Sequence, residues 1–261
     1  MRVSQIYMYI VLSFAFQCIY SSLPVENLRA RYIDLLISAV LNTIYDPADH
    51  KENGTDWPKM AHSMIGKKRM NNLKWCVENV IELNVPGDLV ETGVWQGGAT
   101  IVMRGILKAW DITDRKVWVC DSFQGLPAPS GSFPIDVTSA VSALHTVDYL
   151  KVSVEQVARN FEAYDLLDEQ VKFLKGWFKD TMPTMPIERI AVLRLDGDMY
   201  ESTIQVLEAL YNKVSIGGYI IIDDYCLDAA RAATNDFRKS RNIQDQLIVI
   251  DNCGVYWKKT R

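Results

Sequence analysis

The residues best placed to do chemistry are four aspartates at the ends of two apolar runs. Residues 190–203 read IAVLRLDGDMYEST and residues 219–225 read YIIIDDY. Each run is short and rich in β-branched residues, then stops abruptly in acid. A buried parallel strand delivers polar groups to the carboxyl edge of an α/β sheet in this way. Asp196, Asp198, Asp223 and Asp224 are therefore expected to meet in one crevice. Carboxylates held that close raise one another's pKa unless a cation sits among them, so the set calls for a metal. Oxygen donors with no nearby His or Cys favour Mg²⁺, then Mn²⁺ or Ca²⁺. Taken singly, Asp198 fits a helix cap or a turn equally well.

A second chemical stretch lies upstream, at GDLVETGVWQGG (residues 87–98). A brief apolar strand runs through Glu91, Thr92 and Gly93 into a Gly-rich turn and a helix, whose N-terminus would face a ligand at the sheet edge. The spacing E-x-G-x-x-x-G is not that of a dinucleotide pyrophosphate clamp, and Glu91 would suit a cationic, amino-acid-bearing ligand. A second strand then ends at Asp121, next to Ser122. A carboxylate there is placed to hold a ribose diol, although Asp-Ser also makes a plain turn. A third strand leads into Gly176-Trp177-Phe178, whose aromatic pair either stacks on an adenine or packs the core. His50 and His62 read as solvated or capping residues, and His145 stands as the substitute if Asp198 is not a base.

These groups need a frame. The 261 residues suffice for one large α/β domain. Hydrophobic residues make up 49 % and the net charge is −4, which excludes a basic nucleic-acid face and a disordered acidic chain and leaves a small molecule as partner. A helix is expected from Leu28 with Tyr32, Leu35, Leu36, Ala39, Val40 and Ile44 on one side, and another over 67–83. Residues 46–62 form a polar loop long enough to be a lid or substrate loop, and 123–148 a Pro- and Gly-containing insertion over the crevice. A terminal antiparallel pair closes the sheet. Cysteines 76, 120, 226 and 253 carry no metal spacing and read as reduced core residues. Residues 1–22 have the layout of a signal peptide or anchor, leaving 23–261 as the folded domain. That start points to the secretory pathway while the chemistry points to the cytoplasm.

The chain resembles the macrocin O-methyltransferase family, the TylF/MycF type of S-adenosylmethionine-dependent sugar methyltransferases. The likeness runs from about Leu28 to Trp257 and rests on the joint presence of RARYIDLLISAVLNTIY, MIGKKRMNNL, PGDLVETGVWQGGATIVMRGIL, VWVCDSFQGLP, VKFLKGWFKDTMP, AVLRLDGDMYEST and GGYIIIDDY. It implies a doubly wound, seven-stranded, mostly parallel Rossmann-like sheet with N-terminal helices, and Mg²⁺-dependent methylation of a deoxysugar hydroxyl on a natural product. By position, Glu91, Thr92 and Gly93 would line the methionine part of the cofactor, Asp121 and Ser122 its ribose, and Gly176 with Trp177 its adenine. Asp196, Asp223 and Asp224 match the family's metal ligands, and Asp198 its general base. The leader, residues 135–150 and the cysteines at 120 and 226 depart from the pattern, which leaves the acceptor open. A catechol or other vicinal diol would suit the same chelation, and a non-catalytic secreted relative would keep the same fold. Family habit adds a homo-oligomer.

Overall fold

The computed structural model describes residues 25–46, 52–54 and 57–261. The leader-like segment lies outside them, as does His50. Helix α1 covers 25–40, followed by α2 (Gly66–Glu82), β1 (Asp88–Thr92), α3 (Gly98–Ala109) and β2 (Val117–Asp121). The insertion contains a short helix α4 (Pro134–Thr138) and two 3₁₀ turns. Then come α5 (Val154–Ala163), β3 (Val171–Lys175), α6 (Phe178–Thr181), β4 (Ile190–Leu195) and α7 (Tyr200–Leu210). The chain ends with β5 (Val214–Ile222), α8 (Asp228–Ser240), β6 (Ile248–Val249) and β7 (Val255–Lys258).

The seven strands lie in the order β3-β2-β1-β4-β5-β7-β6. All neighbours are parallel except β7, which runs antiparallel to both β5 and β6. Successive side chains on a strand point to opposite faces, and here each face has its own core. Leu89, Val192, Tyr219 and Ile221 join the core under α1, α2, α3 and α5, whereas Val90, Leu193, Ile220 and Ile222 join the one under α7 and α8. Helices on both faces explain why β4 is buried at all six positions and reads as one apolar run. Sheet order reverses between β1 and β4, so their carboxyl ends diverge and open a crevice.

Helix α1 is present, and its buried face agrees with the expected stripe at Leu36 and Val40 but is rotated away from Leu28, Tyr32, Leu35 and Ile44. Ile33, Leu36, Ile37, Val40 and Leu41 are buried, while Leu28 is 63 % and Leu35 61 % exposed. Both stripes are apolar at helical spacing, so periodicity cannot choose between them. Leu36, common to both stripes, packs into a notch at Gly105 of α3, where a Cβ would stand 2.1 Å from Leu36 Cδ2. Among the described residues no helix is long and apolar enough to cross a membrane.

Candidate active site

The carboxyl ends of β1, β2, β3, β4 and β5 surround a cavity of about 580 Å³. Gly93, Trp95, Asp121, Ser122, Gly176 and Trp177 line one part of it. Asp196, Asp198, Asp223 and Asp224 line another, together with Gly54 and Trp57 from the 46–62 loop. The two chemical stretches of the sequence therefore share one chamber.

In the first part, Asp121 is fixed by backbone donors. Val94 N–H donates to its Oδ2 at 2.8 Å and Phe123 N–H to its Oδ1 at 2.7 Å. Burial pushes the carboxyl up while these amides pull it down, with burial the larger effect. Ser122 Oγ–H adds a longer contact to Oδ1 at 3.4 Å, so the carboxylate is held in one orientation at the cavity edge. Gly93 has φ +81°, and a Cβ there would fall 1.6 Å from the Asp196 carbonyl oxygen, so glycine is needed for β1 and β4 to converge beneath the cavity. The aromatic pair after β3 divides its work: Trp177 lines the cavity half-buried, and Phe178 lines it while also packing against the core.

Three expectations meet a different geometry. Glu91 and Thr92, expected beside the cofactor, are buried and are not among the residues that line the cavity. Glu91 is 2 % exposed and ion-paired with Arg194, and its Oε2 has no hydrogen-bond partner among the described residues. Burial pushes it up to about 8 against the pull of Arg194. The N-terminus of α3 is partly closed to a ligand, because Gly98 N–H donates to the His62 carbonyl at 2.9 Å. Cys226 and Cys253 are not reduced core residues: they form a disulfide, with Cys226 exposed and both on the cavity rim. Cys76 and Cys120 are free and buried. The two bridged residues follow Asp224 and Asp251 by the same short step, one in the β5–α8 turn and the other in the β6–β7 turn, and the antiparallel pairing of β5 with β7 brings them together in a way spacing alone does not disclose.

In the second part, Asp196, Asp223 and Asp224 each offer an oxygen, all within 4.8 Å of one another. Asp198 has φ +57°, and its N–H donates to Asp224 Oδ2 at 3.0 Å. Its own carboxyl is pushed up to about 7 by burial and by the Asp196 and Asp223 charges. Asp224 is raised too, first by burial and then by Asp198. Two buried guanidiniums offset the acid. Arg194, on β4, pairs with Glu91, Asp223 and, at 2.9 Å, Asp196. Arg69, on α2, pairs with Asp223 and, at 3.2 Å, Asp251. The all-oxygen donor set fits a hard divalent cation, since carboxylate oxygens that accept one N–H retain a lone pair for a metal.

Sequence reasoning passed over both arginines, although an Arg inside the apolar run IAVLRL is a signal, because a charge in a two-sided buried strand must be paired. It also passed over the roof. Tyr149 of the insertion stacks on Trp57 at 5.2 Å and lies 5.1 Å from Trp95, whose Nε1–H donates to the Tyr149 carbonyl at 2.9 Å. Tyr149 O–H donates to the Pro58 carbonyl. Buried Asp136 accepts from Tyr200 N–H at 2.7 Å and Glu201 N–H at 3.0 Å, capping α7 and fixing the insertion just past Asp198. His145 bonds its own turn through Ser142, and it is Leu144 that lines the cavity.

Comparison with known proteins adds identity to this geometry. The chain is 52 % identical over 247 residues to demethyldecarbamoylnovobiocin O-methyltransferase of Streptomyces niveus, covering 88 % of this chain and 94 % of that one. It is 49 % identical over 244 residues to mycinamicin III 3''-O-methyltransferase of Micromonospora griseorubida, covering 88 % and 96 %. The solved structure of the O-methyltransferase NovP superposes with a TM-score of 0.86 at 51 % identity, covering 89 % of this chain and all of that one. Calicheamicin methyltransferase CalS11, at 20 % identity and a TM-score of 0.55 over 73 % of this chain and 78 % of its own, shares the fold. The sequence profile described as macrocin-O-methyltransferase (TylF) matches residues 25–259. With the seven-stranded sheet and the expected S-adenosylmethionine chamber at its switch point, the chain belongs to the macrocin O-methyltransferase (TylF) family and is an O-methyltransferase.

Proposed function

We propose that the protein methylates a hydroxyl of a deoxysugar carried by a natural product, with Asp196, Asp223 and Asp224 holding Mg²⁺ and Asp198 acting as base. The observation that carries this reading is the placement of all four aspartates in the chamber whose other part has the donors a nucleoside needs. The relatives' names support the acceptor class, one of them specifying a rhamnosyl unit on tetracenomycin C.

When bound, the cation supplies Lewis-acid charge that makes a chelated hydroxyl more acidic, and the cofactor supplies a methyl group on sulfonium. The protein's own contribution is position and proton management. Asp121 holds the ribose diol with its backbone-fixed carboxylate, Ser122 and the Gly93 turn border it, and Trp177 with Gly176 faces the adenine. Glu91 acts from below through Arg194, the counter-ion it shares with Asp196 and Asp223, and Thr92 Oγ1–H donates to the Arg194 carbonyl at 3.5 Å. With both groups bound, the four aspartates would hold the acceptor hydroxyl facing the part of the chamber that Gly93, Asp121 and Trp177 line, where the cofactor would supply its methyl group. The hydroxyl proton passes to Asp198, whose position between Asp196 and Asp224 keeps it at the reacting edge. The Trp57–Tyr149–Trp95 stack ties the 46–62 loop to the turn after β1 at the edge of the chamber.

Acceptor profiling tests this reading. Purified protein with S-adenosylmethionine and Mg²⁺ is offered rhamnosides, other deoxysugar glycosides and catechols, and S-adenosylhomocysteine release is followed. Turnover confined to deoxysugar glycosides is expected, with Asp198→Asn lowering kcat by about 100-fold, the usual scale for general-base catalysis. Preferential methylation of catechols would refute the sugar assignment, and full kcat in Asp198→Asn would move the base elsewhere.

A further inference from the structure

We infer that Arg69 is a positioning residue that shapes the acceptor side of the chamber, a conclusion that rests on the functional reading above for its division into cofactor and acceptor sides. One guanidinium joins three segments far apart in sequence. Its Nη2–H groups donate to the carbonyls of Asn53 at 3.1 Å and Gly54 at 2.9 Å; its Nη1–H donates to Asp223, and its Nε–H to Asp251 Oδ2 at 3.2 Å. Gly54 lines the cavity, Asp223 is a candidate metal ligand, and Asp251 anchors the turn that brings Asn252 and Cys253 to the rim. Asp251 holds that turn through its other oxygen, which accepts from Cys253 N–H at 2.9 Å and Gly254 N–H at 2.7 Å.

The surroundings are built for this arrangement. Arg69 is 6 % exposed and the Asp251 side chain is fully buried, so neither is a surface ion pair of little worth. A Cβ on Gly54 would meet the Ile65 carbonyl carbon at 2.4 Å, and one on Gly254 would meet Arg69 Cδ at 2.8 Å, so both loops approach α2 as closely as backbone allows. None of these contacts reaches Asp121 or Trp177. Arg69 thus ties the rim to the carboxylate floor without touching the cofactor side. A lysine keeps the charge but cannot span four acceptors in a planar fork.

The test uses the full chain with Arg69→Lys and, because a buried arginine is hazardous to change, Asp251→Asn as a milder second variant. Loss of charge-assisted hydrogen bonds predicts a rise of at least about tenfold in KM for the acceptor in Arg69→Lys and about threefold in Asp251→Asn. The dissociation constant for S-adenosylmethionine, read by calorimetry, should stay within about twofold in both, since that contact set is untouched. Amide exchange should quicken around residues 52–54 and 251–254 and stay as in wild type at Val94 and Phe123. Unchanged acceptor KM and unchanged exchange in either folded variant would overturn the assignment, as would cofactor affinity falling in step with acceptor KM. If no sugar is methylated at all, the functional reading fails, while the exchange pattern still decides whether Arg69 holds the rim.

Discussion

At the scale of single residues, the site is a balance of buried charge. Arg194 is 1 % exposed and faces Glu91, Asp196 and Asp223, so it is the counter-ion that lets three acids sit under one chamber. Arg194→Met leaves those acids without it, and unfolding experiments should register a loss of about 3 to 5 kcal/mol, as for other broken buried pairs. A loss below 1 kcal/mol would mean that the acids are neutral in the folded protein. His62 titrates the fold in a different way. Burial lowers its pKa, and its Nδ1 lies 2.8 Å from the Tyr164 hydroxyl. A group that prefers its neutral form when folded contributes stability above its unfolded pKa near 6.5 and loses it as pH falls through the lower folded value. Melting followed from pH 7.5 to 5.5 should show His62→Gln losing less stability than wild type, by at most about 1.4 kcal/mol per pH unit. Equal losses would place His62 outside the acid limb.

At the scale of elements, the strand ends and their turns decide the site, and the loops decide access to it. Gly93→Ala tests the strand ends, since its methyl would collide with the Asp196 carbonyl at a positive φ. The β1–β4 register must then give way, and the variant is expected to lose more than about 3 kcal/mol or not to fold. The Cys226–Cys253 bridge, whose ends are separated by 27 positions in sequence, tests the rim. Closing a loop of that length stabilises by about 3 to 4 kcal/mol in the chain-entropy account. Denaturation with and without a dithiol reductant should differ by that order, and Cys226→Ser should erase the difference. Element types were legible where pattern and punctuation agreed, as in β4, β5 and α2. The facing of α1 was legible only in part, because two apolar stripes that share Leu36 and Val40 compete at helical spacing. The insertion's order was not legible, because Asp136 gains meaning only once it caps α7.

At the scale of the whole molecule, topology turns a linear pattern into one chamber. The aspartates were readable because parallel strands end on one edge, and that edge is fixed by chain direction alone. Their counter-ions were less so: Arg69 and Asp223 stand 154 residues apart, and only the docking of α2 against the sheet joins them. Glu91 stands at its expected strand end, and its side chain is buried against Arg194 and is not among the cavity-lining residues, a contact that its place in the sequence does not disclose. The resemblance named the chemistry, whereas the disulfide and the aromatic roof, both built from residues distant in sequence, belong to the folded chain.

The most direct test of the central claim is methyl transfer to the preferred glycoside, measured for wild type and Asp196→Asn with saturating Mg²⁺ and then with excess EDTA. Turnover should be abolished in wild type by EDTA and restored by Mg²⁺, while Asp196→Asn should be lower by at least about 100-fold at the same Mg²⁺, consistent with loss of a metal-ligating carboxylate. Undiminished turnover in EDTA, with Asp196→Asn as active as wild type, would contradict the metal assignment and require another purpose for the acidic floor.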